Sequence, residues 1–279
     1  MRALVADVVR STRGHDLALY AAGVTFYATV GLVPLLLLAL FLAGQVAGEE
    51  TVRALADRVA NLLPDALGAQ QAGRFLAAAG TGMSPLTALA ALIPASVYGE
   101  GLSRAFDRLS RTTSKRRSLR GRIGAVGVVG ISPALLLGGL AATKLLTERL
   151  GDDGSDRVLG VYFAFLLGWL AISPVLALAY RGLAPERPGT RALLWGAAGT
   201  GSFLAGTCLG FVLFLSLDIN LGAVYGGAAV LATAVACVGW LWVLHIIVLV
   251  GYVATLCIDA RAGHPLRPPV EDSAVALAA

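Results

Sequence analysis

The sequence predicts an all-α integral membrane protein: a bundle of about six transmembrane helices, some kinked at proline, with short amphipathic helices at the surface. Three observations carry this. Of 279 residues, 57% are hydrophobic and only 14% charged, with a mean hydropathy of +0.77, whereas soluble domains average about 25% charged. The charges cluster and leave six uncharged runs, at 17–48, 75–99, 123–143, 158–180, 192–217 and 219–258. Each reaches the roughly 20 residues needed to cross about 30 Å of hydrocarbon. Finally, if each run crosses once, sixteen Lys and Arg fall on one side and six on the other. The positive-inside rule then places both termini in the cytoplasm. A β-barrel needs short segments of strict alternation, which "PLLLLALFLAG" lacks.

The elements follow in order within a single membrane domain, residues 1–260. Some sixteen residues, five of them charged, precede the first run. That run exceeds a signal core, so no cleaved leader is expected. Span 1 is expected at about 17–42. In "GEETVRALADRVANLLPDALG", Val52, Leu55, Ala56, Val59, Leu62 and Leu63 recur at helical spacing, Thr51 can cap and Pro64 ends the run. This reads as an amphipathic outer-surface helix, with a lid over a central cavity as the alternative.

Span 2 is expected at 75–98 and runs into a basic segment. Leu102, Ala105, Phe106 and Leu109 share one helical face, with Arg104, Arg108 and Arg111 opposite. Glu100 and Arg104, like Asp107 and Arg111, are spaced as i,i+4 pairs. The segment reads as helical turns along the inner surface. "RTTSKRRSLRGR" continues it with Lys115, Arg116, Arg117, Arg120 and Arg122. This cationic surface orients the protein and suits anionic lipid headgroups of the inner leaflet, each charge contributing about 1 kcal/mol. No aromatic residue interleaves the charges to stack on bases, so no nucleic-acid partner is expected.

Spans 3 to 6 are expected at about 123–143, 158–180, 192–217 and 228–256. "ERLGDDGSDR" reads as an outer turn, "RGLAPERPGTR" as a cytoplasmic turn, and "LGAVYGG" (221–227) as the break in the last, overlong run. Gly121, Gly124, Gly127 and Gly130, and Gly206 with Gly210, are expected where helices approach closely. The tail, 261–279, is expected to be disordered and cytoplasmic.

Chemistry-bearing groups are sparse. Cys208, Cys237 and Cys257 form no CxxC pair and read as packing residues. His15, His245 and His264 are widely separated, and no HxH, HExxH, GxSxG, phosphate-loop or paired-carboxylate motif occurs. No catalytic residue, metal site or cofactor is therefore expected, and the protein does not read as an enzyme. Two features point to a substrate path or gate. Pro34, Pro85, Pro94, Pro133 and Pro174 fall within the runs, and helices broken at proline can line cavities. His245 is an ionisable side chain deep in a span, a candidate functional group by default, with a neutral imidazole bonded to the next helix as the alternative.

Several stretches together resemble a known family. "TFYATVGLVPLLLLAL" (25–40), "GLSRAFDRLSRTTSKRRSLRGR" (101–122), "AYRGLAP" (179–185), "AVYGG" (223–227) and "WLWVLHIIVLVGY" (240–252) are similar, in order and spacing, to signatures of the YihY / virulence factor BrkB membrane proteins. The resemblance runs from about residue 15 to 260. It implies a six-span bacterial inner-membrane protein linked to the cell envelope, with transporter-like roles proposed and a former ribonuclease BN label generally regarded as an error. Where the family often has Gly-Ala-Glu-Leu-Asn, this chain reads Gly251, Tyr252, Val253, Ala254, Thr255. His245 stands where the family usually has a small apolar residue. The expectation is a transporter or translocator of an envelope-related substrate, anionic or lipid. A non-transporting scaffold or envelope-integrity protein is the alternative, and a ribonuclease the weakest reading.

Overall fold

The structure is a computed structural model and describes residues 2–62, 69–110, 154–215, 217 and 221–263. Among these, every regular element is helical. Five helices are long and apolar enough to cross a membrane: Leu17–Ala47, Pro85–Leu109, Val158–Gly182, Thr190–Phe214 and Leu231–Arg261. The expected third span with Pro133, the basic residues from Arg111 to Arg122, and the tail beyond residue 263 lie outside the described residues.

A short helix, α1 (Arg2–Thr12), leads into α2 (Leu17–Ala47). Asp16 caps α2, accepting from the Leu19 amide at 3.0 Å. At 1.5 Å per residue, 31 residues measure about 46 Å, well beyond the hydrocarbon thickness, and the helix runs unbroken through Pro34. Gly48, at φ +85°, ends it. Helix α3 (Glu49–Leu62) then folds back onto the end of α2: Val52 is fully buried against Leu40 and Ala43.

The second apolar run is not one helix. Its first part belongs to α4 (Ala69–Thr81), where Phe75 is exposed. Arg53 of α3 ties the pair together, donating from Nε to the Thr81 hydroxyl at 2.8 Å. The next helix, α5 (Pro85–Leu109), begins ten residues later than composition suggests, because Ser84 accepts from the Thr87 amide and Pro85 takes the first helical position. It continues without a break to Leu109. The turns expected along the inner surface are thus the end of the span: Leu102, Ala105, Phe106 and Leu109 are buried in the core, while Arg104 and Arg108 face out.

Helices α6 (Gly154–Gly182) and α7 (Thr190–Leu215) pack extensively together. A short 3-10 turn, Leu221–Tyr225, follows, and Gly226 and Gly227 adopt positive φ of +63° and +88°. These conformations suit glycine and lead into α8 (Ala229–Arg261).

The core centres on Phe106, Tyr180 and Tyr252, each fully buried, with ring centroids 4.5 to 5.7 Å apart. Their polar ends are satisfied. Tyr180 donates to the Val248 carbonyl at 2.9 Å, and the Tyr252 hydroxyl lies 2.7 Å from that of Ser110. Close helix approach depends on Gly251, where a Cβ would meet Thr200 and the Tyr180 hydroxyl, and on Gly196, where it would meet Thr255. At Gly206 and Gly210, by contrast, a Cβ would make ordinary contacts at 3.9 and 4.0 Å.

Candidate functional site

His245 projects from the middle of α8 and is 2% exposed. Its Nδ1 lies 3.0 Å from the Thr25 hydroxyl of α2, and its Nε2 lies 3.1 Å from the Tyr98 hydroxyl of α5. Thr25 gives its own hydrogen to the Ala21 carbonyl at 2.8 Å, so towards the imidazole it accepts. Nδ1 therefore carries a hydrogen, and in the neutral ring the bare Nε2 accepts from Tyr98. The imidazole has both nitrogens bonded and joins three helices.

The histidine also borders a cavity. A space of about 500 Å³ is walled by α2, α5, α6, α7 and α8, mostly by aliphatic side chains such as Leu32, Leu35, Ile172, Leu204 and Val248. Among the described residues, its hydrogen-bonding lining side chains are Tyr98 and His245, with Cys208 as the weakly polar neighbour. A second apolar space, about 590 Å³, lies between α2 and α8 and is lined by Thr25, Thr29, Val235 and Trp242. The chain Tyr98–His245–Thr25 thus stands between two apolar cavities. Among the described residues, neither is lined by α3 or α4.

A third cavity differs in character. It measures about 480 Å³ and lies between the first turns of α2 and the last turns of α5. Tyr20, Tyr27, Glu100, Arg104, Asp107 and Arg108 line it. Arg104 donates to Glu100 at 2.6 Å and to the Tyr27 hydroxyl at 3.2 Å, with its guanidinium 6.0 Å from the Tyr27 ring centre. Asp107 is 8% exposed. The described part of the expected cationic surface is therefore charge-balanced, with two arginines beside two carboxylates. Arg111, Lys115, Arg116, Arg117, Arg120 and Arg122 lie outside the described residues.

The prolines do not gather around these spaces. Pro85 is exposed at a helix start, Pro174 is exposed, and Pro34 and Pro94 are half-buried. None of the four lines any of the three cavities. Pro94 instead packs: its carbonyl lies where a Cβ on Gly31 would sit. Among the described residues, no group of three or more His, Cys, Asp or Glu side chains could hold a metal ion.

Thr25 and Tyr98 are the site residues that the sequence does not single out, and Asp107 stands out in it only as the i,i+4 partner of Arg111. Thr25 opens the "TFYATV" signature and Asp107 lies within the one at 101–122, so position within a signature was the available signal for these two, whereas Tyr98 precedes that stretch and carried none.

The family model described as virulence factor BrkB matches residues 8–274. No curated protein and no solved structure matches the chain. Signature segments far apart in sequence converge in space: Phe106, Tyr180 and Tyr252 form the central ring cluster, and Thr25 meets His245. With nearly the whole chain matched and five helices of membrane-spanning length and apolarity, the chain belongs to the virulence factor BrkB family of membrane proteins.

Proposed function

We propose that the protein is a translocator of an envelope-related amphiphile across the bacterial inner membrane, with six spans and both termini cytoplasmic. The observation that carries this is the apolar cavity of about 500 Å³ among five helices, with Tyr98 and His245 as its hydrogen-bonding groups. Ligand sites typically occupy roughly 300–1,000 Å³ and combine apolar walls with a few placed polar groups. A bundle that only packed would gain contacts by closing such a space. The orientation is supported by the sixteen-to-six division of basic residues. The sixth crossing is supported by chain direction. Ser103, near the end of α5, bonds the Leu183 carbonyl just past the end of α6 at 2.9 Å, so α6 starts at the opposite end of the bundle from where α5 stops. The basic segment from Arg111 to Arg122 then faces the cytoplasm and holds anionic headgroups of the inner leaflet.

Reconstitution into liposomes tests the reading. Fluorescent phospholipids in the inner leaflet should become accessible to an external quencher in the presence of the protein. Ala39→Trp or Ala171→Trp, which fill the cavity, should slow this without loss of folding. Rates equal to those of protein-free liposomes would leave the alternative, a scaffold or envelope-integrity protein. That alternative draws support from the fully bonded His245, which needs no ligand to satisfy it. A ribonuclease remains the weakest reading.

A further inference from the structure

We propose that the cavity beside His245 takes one unbranched alkyl chain, tail first, with the end of the chain in a narrow extension between α5 and α6. The inference deepens the translocator reading and rests on it for the source of the chain, an amphiphile of the envelope.

The extension measures about 90 Å³ and shares Leu35, Tyr98, Val175, Leu176 and Val248 with the cavity of about 500 Å³, so the two spaces meet. Ala95, Gly99 and Ala179 leave the gap, since each presents a methyl group or less, and Leu102 and Leu183 line its far end. The Tyr98 hydroxyl is committed to His245, which leaves the ring as its contribution to the wall. Among the described residues the far end is closed. One helical turn past Leu102 stands Phe106, and beside Ala179 stands Tyr180; both are fully buried, with ring centroids 5.7 Å apart. Ser103 donates to the Leu183 carbonyl at 2.9 Å and ties α5 to the residue after α6 at the same level.

Shape then selects the ligand. From Ala171, which lines the wide part, to Leu183, which lines the closed end, the chain rises about 18 Å at 1.5 Å per residue. That exceeds half of a hydrocarbon core about 30 Å thick, so the combined space accommodates a lipid tail one leaflet deep. It narrows along the way, from about 500 Å³ to about 90 Å³. An unbranched chain ends in methylene and methyl groups and can follow. An isoprenoid chain carries methyl branches that would displace close-packed neighbours such as Leu102 and Leu183, and such overpacking is unfavourable. Bilayer tails are as apolar as these walls, so the gain on binding lies in the contacts a chain makes by filling the space. A polar headgroup buried against the same aliphatic walls would cost free energy, which sets the direction of entry.

Photolabelling of the full chain tests the site. The protein is placed in nanodiscs of diphytanoyl phosphatidylcholine, whose chains are branched, and irradiated with palmitic acid carrying a diazirine near its methyl end. Sequenced peptides should carry the label on Leu102, Ala179 or Leu183, and an excess of unlabelled palmitic acid should reduce it several-fold. Phytanic acid, with an equally long main chain bearing methyl branches, should not. Equal competition by the two acids would overturn the unbranched class. Label found instead on exposed residues such as Leu194 and Phe203 would overturn the site. Ala179→Leu, which fills the extension, should remove the label. Label retained there in a folded variant would overturn the placement of the chain end, and the competition in the parent protein decides if that variant does not fold. Liposomes that show no translocation while the label stays in place would remove the translocator reading alone.

Discussion

The Tyr98 hydroxyl donates across 3.1 Å to Nε2 of His245, joining the second described span to the last at a point where both face an apolar cavity. The bond fixes the imidazole tautomer from one side, as Thr25 fixes it from the other. The three side chains come from α2, α5 and α8, so the ring acts as a joint among helices that share no other polar contact at this depth among the bonds described above.

Removing the joint should be costly in proportion to the bonds lost. Tyr98→Phe loses one, and hydrogen bonds inside membrane proteins average about 0.6 kcal/mol. His245→Leu loses both and strands the Tyr98 hydroxyl, so a larger loss, roughly 1–3 kcal/mol, is expected. Unfolding in mixed micelles measures each. If His245→Leu proved as stable as the parent, the joint would carry no weight.

Two glycine substitutions should diverge in sign. A Cβ at Gly251 collides with Thr200 and the Tyr180 hydroxyl, and overpacking of this kind costs about 1–3 kcal/mol. A Cβ at Gly199 meets nothing within 4 Å, and replacing a mid-helix glycine by alanine gains roughly 0.5–1 kcal/mol. Gly251→Ala should therefore melt below the parent protein and Gly199→Ala above it. Melting shifts of the same sign would contradict the packing described.

Pro85 and Pro94 should separate helix starts from helix interiors. Pro85→Ala should leave both stability and translocation near parental values, because the Ser84 cap remains. Ser84→Ala should cost about 1 kcal/mol. Translocation stopped by Pro85→Ala in a folded protein would mark that proline as part of the substrate path.

The ion pair of Asp7 with Arg261 should matter little to global stability. Arg261 donates to one carboxylate oxygen from Nε at 3.0 Å and from Nη2 at 2.5 Å, but both side chains are partly exposed. Such pairs contribute roughly 0–1 kcal/mol and are screened by salt. A double-mutant cycle with Asp7→Asn and Arg261→Gln, at low and high salt, should give a small coupling that shrinks as salt rises.

The sequence made the membrane bundle legible because long uncharged runs have few other physical homes. Boundaries were less legible. The run at 75–99 hides two helices, since hydropathy does not register a turn at Gly82-Met83 between apolar neighbours; Ser84-Pro85 was the start signal, read instead as an interior proline. The break at 221–227 was legible because two adjacent glycines serve positive φ. His245 stood out as an ionisable group among apolar ones, yet its partners lie 147 and 220 residues away. Helix packing alone brings them together. Asp107 read as one half of a surface pair, and only the burial of neighbouring Phe106 shows that this face turns inward.

Several contacts of the first two helices come from the last one. The Trp242 indole donates to the Ala18 carbonyl at 3.0 Å, His245 meets Thr25, and Arg261 holds Asp7. A ribosome adding about 5–20 residues per second needs roughly 10–45 s to make the 224 residues between Ala18 and Trp242. Throughout that interval the newly inserted first span has none of these partners, and the Thr25 hydroxyl is held only by the Ala21 carbonyl of its own helix. Release from that machinery would therefore come only after the final helix has entered, and a chain stopped before α8 would present an incomplete bundle to membrane quality control.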